Sequence, residues 1–143
     1  AWAAREAYFH AYPGLREWHE RTEYYVRRNQ ELTTIFGRTR HLDEVLSNEQ
    51  RIVYHAIRQG INFLVQSAAA DITHAALIAL QQHKEAKIVA SVHDSVVWEQ
   101  SIGTGDAIAE TLMDEALLIL HRWFDFESPI PFEAEWTIGE YWT

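Results

Sequence analysis

The stretch that most constrains the fold runs from residue 86 to residue 99 and reads AKIVASVHDSVVWE. Before the His93-Asp94 pair, Ile88, Ala90 and Val92 alternate with Val89 and Ser91. After it, Val96 and Trp98 alternate with Val97 and Glu99, so both flanks have the period of two that is typical of β-strands. We therefore predict a β-hairpin with His93 and Asp94 at its tip. Strands this apolar need cover on at least one face, whereas the tip stays polar and can present a carboxylate. Because aspartate is common in turns in general, other features must decide whether Asp94 does chemistry.

Length and composition are those of a globular domain. The chain has 143 residues, 48% of them apolar, with six tryptophans and no cysteine. That is enough apolar material for one core, and we predict a single domain over residues 1–143. The absence of cysteine excludes disulfides and thiolate metal sites and fits a reducing compartment. We expect no membrane span, because no uninterrupted apolar run reaches the roughly 20 residues that a span needs.

Charge is distributed unevenly along the chain. The formal net charge is -9, which argues against a free-standing nucleic-acid binder. Residues 1–60, however, contain nine arginines and eight acids, a balance of +1, whereas residues 61–143 contain three basic residues and thirteen acids, a balance of -10. If the chain binds a polyanion, it does so through its first half.

Hydrophobic periodicity and turn residues predict a mixed order of helices and strands, hence an α+β fold in which a small antiparallel sheet with the His-Asp hairpin packs against several α-helices. A polar stripe of Arg58, Asn62 and Gln66 lies within the longest helical region, at a spacing of four that puts all three on one face. In the first half of the chain we predict a short helix over 2–11, a helix from 15 to about 30, and a strand over 32–36 before a basic turn at 37–41. A helical region capped by Ser47 or Asn48 then runs to Leu80 and can be two helices meeting near Gln66-Ser67. The hairpin over 87–99 follows, then a helix from about 106 to 124 with Thr104 as its cap, and a last strand over 132–138 followed by Gly139 and Trp142.

Four motifs occur in an informative order: TIFGRTR, then Arg58 with NFLVQSAAADI, then VASVHDSVVWE, then PFEAEWTIGEYW. This order resembles the C-terminal part of family A DNA polymerases, the DNA polymerase I type, and AYFHAYPGL near the start fits as well. The resemblance covers nearly the whole chain and implies part of a polymerase palm with adjoining helices. It also implies a bacterial or phage-infected host cell, with the protein in the cytoplasm.

The polar stripe suits a helix that reads a duplex without reading its sequence. Every base pair presents purine N3 or pyrimidine O2 acceptors in the minor groove, so Arg58 and Gln66 as donors can test pair geometry for any sequence. By resemblance, Arg58, Asn62 and Gln66 are minor-groove and primer-terminus contacts, while Arg38 and Arg40 position the duplex through its phosphates. The alternatives are a hydrogen-bond network between elements for the stripe and a solvated basic turn for the two arginines.

The resemblance gives His93 and Asp94 the roles of a palm hairpin, in which the aspartate holds Mg²⁺ and the histidine lies near the primer terminus. Phosphoryl transfer from a dNTP uses two Mg²⁺ ions bridged by carboxylates, so Asp94 alone is too few. The family's other catalytic aspartate, its nucleotide-binding fingers helix and its thumb are absent from this sequence. Ser95 stands where the family commonly has glutamate, which puts an accessory carboxylate in doubt, and we interpret Glu99 as structural.

Three functions remain open on the sequence. The favoured one is template-directed DNA synthesis, with primer-template DNA and dNTP as partners and the missing motifs supplied by the rest of a longer chain or by a complementary polymerase fragment. The second is a non-catalytic remnant or accessory duplex-binding module. The third, a His-Asp metal hydrolase, is disfavoured because His93-Asp94 lies between β-branched runs and the helical histidines His74 and His83 fall on different faces.

Overall fold

The computed structural model describes residues 2–103 and 105–140, and within these it has an α+β fold with four α-helices and two antiparallel two-stranded sheets. The predicted fold class is confirmed, with two small sheets where the sequence indicated one. The elements are α1 (Trp2–Ala11), α2 (Pro13–Asn29), β1 (Glu31–Thr33), β2 (Thr39–His41), a 3₁₀ turn (Asp43–Leu46), α3 (Gln50–Leu80), β3 (Lys87–Val92), β4 (Ser95–Glu99) and α4 (Gly105–Phe124).

The chain forms two compact units, Ala1–Ala68 and Ala69–Thr143. Helix α3 begins in the first unit and ends in the second. Because one helix is common to both, this division does not decide between one domain and two, and the single domain stays a prediction.

In the first unit, α1 and α2 meet around the buried ring of Phe9. The guanidinium carbons of Arg5 and Arg16 lie 5.0 and 4.9 Å from its centroid, and the His19 ring meets it edge-on at 5.4 Å. Arg16 also bonds to Glu6 across the two helices at 2.8 Å. Pro13 at the first position of α2 separates the helices, since proline is tolerated there but stops a preceding helix.

The core of the first unit lies between α2, the β1–β2 region and the first half of α3. Gly60 lets α3 approach closely: a Cβ at this position lies 2.7 Å from Leu42 Cδ1 and 2.8 Å from Leu32 Cδ1. The glycine that the sequence marks as a weak point of the helix therefore lies where α3 approaches the two leucine side chains closely. The buried members of this core are Val26, Leu32, Leu42, Val45, Val53, Ala56 and Ile57.

Helix α3 is continuous over 31 residues, so the two-helix alternative near Gln66-Ser67 is wrong. A polar Gln-Ser pair costs little in a helix, and the three alanines that follow have the highest helix propensity. The helix begins at Gln50. Just before it, Ser47 Oγ accepts a hydrogen bond from the Glu49 N–H at 3.1 Å. By length and composition α3 could cross a membrane, a test that core helices of soluble proteins also pass.

In the second unit, β3 and β4 pair antiparallel, with Val92 opposite Ser95 next to the tip and Lys87 opposite Glu99 at the far end. This confirms the predicted hairpin. Helix α4 confirms the prediction for 106–124, and its buried side is apolar, as the sequence pattern requires. The predicted cap Thr104 lies outside the described residues. The buried apolar residues of this unit are Ala75, Ala76, Ala79, Leu80, Ile108, Ala109, Ala116, Ile119 and Leu120.

The last strand predicted from the sequence is wrong, since residues 132–138 have no regular secondary structure. A strand takes its hydrogen bonds from a neighbouring strand, and alternation alone cannot supply them. Among residues 2–103 and 105–140, β3 and β4 pair only with each other. Trp142 lies outside the described residues.

Candidate functional site

His93 and Asp94 form the two-residue turn between β3 and β4, and both are solvent-exposed. His93 has a φ of 56°, in the left-handed region that residues with a side chain seldom adopt, although histidine does so more often than most. The short turn forces this conformation because the strands pair up to Val92 and Ser95. The tip therefore presents a carboxylate and an imidazole to solvent at the end of a two-stranded antiparallel ladder.

The described carboxylates do not complete a metal site at this tip. Ser95 is exposed directly after Asp94 and has no carboxylate to offer. Glu99 lies at the opposite end of the hairpin, where its Oε2 is 3.3 Å from Lys87 Nζ. Across the described residues, histidine and acidic side chains nowhere gather in a group of three that could hold a metal. Asp94 fits one oxygen ligand of Mg²⁺, and the chain as described does not fit the whole two-metal site.

The polar stripe of Arg58, Asn62 and Gln66 occupies the face of α3 opposite the core of the first unit. At 100° per residue these positions point away from Val53, Ala56 and Gly60, and all three side chains of the stripe are exposed. Within the described part of the chain, none of these three side chains makes a hydrogen bond or an ion pair. The alternative of a network between elements is therefore not supported for these residues.

Arg40 is held against α3. Its Nη2 donates to Gln59 Oε1 at 2.9 Å, and its guanidinium carbon lies 6.0 Å from the centroid of the Phe63 ring. Gln59 is bound in turn to His55 Nε2 at 2.8 Å. The basic turn expected at 37–41 is in part a strand, because Thr39–His41 pairs with Glu31–Thr33. This pairing fixes the direction in which Arg40 leaves the hairpin.

Arg38 lies in the loop that joins β1 to β2 and is exposed. Its backbone closes the loop, since the Thr34 N–H donates to the Arg38 carbonyl at 2.8 Å. Gly37, with a φ of 81°, supplies the left-handed residue that this loop needs. Arg38 and Arg40 are thus carried by one ordered hairpin rather than by a loose turn.

The sequence reasoning missed His55, Gln59 and Phe63. They repeat every four residues along α3, parallel to the stripe of Arg58, Asn62 and Gln66, and this spacing is the signal that could have found them. Five of the predicted site residues, at positions 38, 40, 58, 62 and 66, belong to the first unit, while His93 and Asp94 belong to the second.

The two histidines that could add ligands to a His-Asp hydrolase site are each paired with a carboxylate other than Asp94. His74 Nδ1 lies 3.9 Å from Asp71 on the same helix, and His83 Nε2 lies 2.8 Å from Glu115 Oε2. Each is a pair of one histidine with one carboxylate, which is too few for a hydrolase metal site.

A profile of DNA polymerase family A matches residues 1–143, the full sequence. This chain belongs to DNA polymerase family A. The resemblance inferred from the four motifs is confirmed.

Individual relatives give the same result. Over 140 residues the chain is 31% identical to a thermostable DNA polymerase I of Thermus aquaticus, covering 96% of this chain and 16% of that protein. It is 29% identical to the DNA polymerase I of Mycobacterium leprae, covering 96% of this chain and 15% of that protein. The chain thus spans about one sixth of these relatives.

A solved structure shares the fold. It is the POL domain of Pol1 from M. smegmatis in complex with DNA primer-template and dNTP. The TM-score is 0.71 at 29% sequence identity, over 79% of this chain and 21% of that one.

Proposed function

We propose that this chain supplies part of the nucleotidyl-transfer site and part of the duplex contacts of a family A DNA polymerase. The activity is template-directed DNA synthesis from dNTP on a primer, and the motifs absent from this sequence come from the rest of a longer chain or from a partner chain. The observation that carries the proposal is the exposed pair His93-Asp94, which forms the two-residue turn of the β3–β4 hairpin. The family profile matches the chain over its whole length.

Asp94 is one oxygen ligand for Mg²⁺, and His93 is near the primer terminus. When bound, the metal pair stabilises charge on the attacking and leaving oxygens. The protein's own contribution at this position is orientation. The hairpin ladder holds Asp94 at a fixed point, so a carboxylate from elsewhere can share a metal ion with it without reorganisation of the turn.

Arg58, Asn62 and Gln66 are the proposed minor-groove contacts. Their lack of partners within the described residues supports this role, because three unpaired polar side chains on one helix face can all turn to a ligand. The Gln59 and Phe63 contacts hold Arg40 beside this face, which supports a phosphate contact for Arg40 with little loss of side-chain entropy on binding. Arg38 is proposed as a second phosphate contact.

The test is primer extension by the chain together with the polymerase sequence that precedes it, joined or supplied as a second polypeptide. Asp94→Ala is expected to reduce extension by about 100-fold or more, because a metal ligand contributes several kcal/mol to the transition state. Glu110→Ala, which removes an exposed carboxylate from α4, is the matched control and is expected to retain activity. Equal extension by Asp94→Ala and wild type would refute the proposed role of Asp94.

A non-catalytic, duplex-binding module is the second candidate, favoured by Ser95 next to Asp94 and by the lack of a three-residue metal group among the described residues. It predicts duplex binding that depends on Arg58 and Gln66 but no extension in the reconstituted system. The same experiment therefore separates the two functions.

A further inference from the structure

Three side chains of the first unit form a chain of hydrogen bonds that ends at Arg40. Arg40 Nη2 donates to Gln59 Oε1 at 2.9 Å, and Gln59 Nε2 lies 2.8 Å from His55 Nε2. His55 and Gln59 are one turn apart on α3, whereas Arg40 reaches them from β2. The direction of each hydrogen bond follows from which of these atoms can donate.

Arg40 fixes the orientation of the Gln59 amide. An arginine side chain has only N–H donors and no acceptor, so the Gln59 atom that faces Arg40 must be the carbonyl oxygen. The amide NH₂ group therefore faces His55. The opposite orientation would set the NH₂ group against the guanidinium, donor against donor, and would lose the hydrogen bond to Arg40.

The Gln59 orientation in turn fixes the tautomer of His55. An amide NH₂ group only donates, so His55 Nε2 has to be the acceptor. A neutral imidazole accepts at one ring nitrogen and carries its proton on the other, which places the His55 proton on Nδ1. A neutral histidine in water favours the other form, with the proton on Nε2. The tautomer of His55 is therefore a direct signature of the whole chain of hydrogen bonds.

We propose that His55, with its proton on Nδ1, is a positioning residue that aligns Arg40 through Gln59 for contact with a nucleic-acid phosphate. This inference rests on the proposed phosphate contact of Arg40 and deepens it, because it gives roles to two residues that do not touch the phosphate. His55 keeps the Gln59 amide from turning over, and Gln59 holds one N–H of the Arg40 guanidinium.

The remaining contacts of Arg40 leave it available to a phosphate. Its guanidinium carbon lies 6.0 Å from the centroid of the Phe63 ring, and its other four guanidinium N–H groups make no hydrogen bond within the described part of the chain. Glu31, the acidic residue of the β1–β2 hairpin, lies with its Oε2 3.5 Å from His41 Nδ1. An exposed arginine that is ordered before binding loses less side-chain entropy when it meets its ligand.

NMR of the full chain labelled with ¹⁵N-histidine reads the tautomer directly, at about pH 8.5, where histidine is ordinarily neutral. The His55 signals are those missing from His55→Gln. The proton of His55 is expected on Nδ1 in the wild type and on Nε2 in Gln59→Met. In Gln59→Glu it is also expected on Nε2, because a carboxylate accepts and needs a donor opposite it. A wild-type proton on Nε2, or the same tautomer in the wild type and Gln59→Met, would overturn the proposal.

Anisotropy of a labelled primer-template duplex, measured against salt in the reconstituted system of the extension test, reads the effect on binding. Gln59→Met and His55→Leu are each expected to weaken binding by roughly threefold to tenfold, with an unchanged slope of log affinity against log salt. The slope stays because Arg40 still meets the phosphate, at a higher cost in side-chain entropy. His55→Gln, whose Oε1 accepts in place of Nε2, is expected to stay within about twofold of wild type. Gln50→Met, the same change at an exposed glutamine of α3, is the matched control and is expected to bind as wild type.

Arg40→Gln separates the positioning role from the phosphate contact on which it rests. It is expected to reduce the salt slope by about 0.9, the share of one phosphate contact on a duplex. An unchanged slope would overturn the phosphate contact of Arg40 and the positioning role with it. A reduced slope in Arg40→Gln, combined with wild-type affinity in Gln59→Met and His55→Leu, would overturn the positioning role alone and leave the proposed function in place.

Discussion

Gly60→Ala measures how closely α3 is packed in the first unit. The added Cβ lies 2.7 Å from Leu42 Cδ1 and 2.8 Å from Leu32 Cδ1, whereas carbon atoms in good contact are about 3.5 to 4.0 Å apart. Each methyl group must therefore retreat by roughly 0.7 Å or more. Leu42 is 1% exposed and Leu32 is 5% exposed, so both retreat into occupied space.

Two opposing contributions set the change in the free energy of unfolding that Gly60→Ala causes. Overpacking a core typically costs about 1 to 3 kcal/mol, and replacing glycine by alanine inside a helix returns about 0.5 to 1 kcal/mol. We expect Gly60→Ala to lower the free energy of unfolding by about 1 kcal/mol. Gly14→Ala in α2 is the matched control, because a Cβ there meets nothing within 4 Å. It is expected to be neutral or stabilising by up to about 1 kcal/mol.

Hydrogen exchange read by mass spectrometry is the suitable assay, since the two compact units need not unfold in one step. Gly60→Ala is expected to lower protection in β1, β2 and residues 50–64, with α4 as the internal reference. It is also expected to strain the 2.9 Å bond from Arg40 to Gln59, because that bond spans the same interface. Wild-type or higher protection in β1 and β2 would refute the close packing deduced for Gly60.

Two further perturbations test local features. Burial, and secondarily the positive charge of Arg5, lower the pKa of His19 below its usual 6.5, so the folded state resists a proton that the unfolded state accepts. The resulting stability is present above pH 6.5 and is lost as the pH falls through the lowered pKa. His19→Gln is expected to flatten this part of the pH profile measured by urea unfolding. Parallel wild-type and His19→Gln profiles would contradict the argument. At the hairpin tip, His93→Val is expected to cost about 1 to 2 kcal/mol while His93→Asn stays close to neutral, because a β-branched side chain does not tolerate a φ of 56°. Equal exchange protection of β3 and β4 in these two variants would show that the turn imposes no such constraint.

The elements that were predictable from sequence are those whose hydrogen bonds are local. Helix α4 follows from a single amphipathic period, and the β3–β4 hairpin joins neighbouring segments through a two-residue turn. The polar stripe was predictable for the same reason, because three residues four apart on a helix share a face whatever the rest of the fold does.

Features that depend on contacts between distant segments were not predictable. From the sequence alone, Gly60 is a residue that weakens a helix. Its role in packing becomes visible only from its closeness to Leu32 and Leu42. Arg40 looks like a turn residue until β2 pairs with β1 and Gln59 accepts its hydrogen bond from 19 residues away. In both cases the sequence records the residue type but not the surface that it meets.

The failed strand at 132–138 and the proposed metal ligand Asp94 show the same limit of sequence patterns. An alternating apolar pattern describes side chains, but a strand also needs a neighbouring backbone, and Trp136 and Ile138 stay 46% and 62% exposed. On β3, Ile88, Val89 and Val92 are exposed as well. Asp94 likewise has the ligand chemistry that Mg²⁺ prefers, but among the described residues no further carboxylates gather beside it to complete a two-metal site. Sequence patterns of this kind encode half of an interaction, so they become evidence of structure or catalysis only together with the segment that supplies the other half.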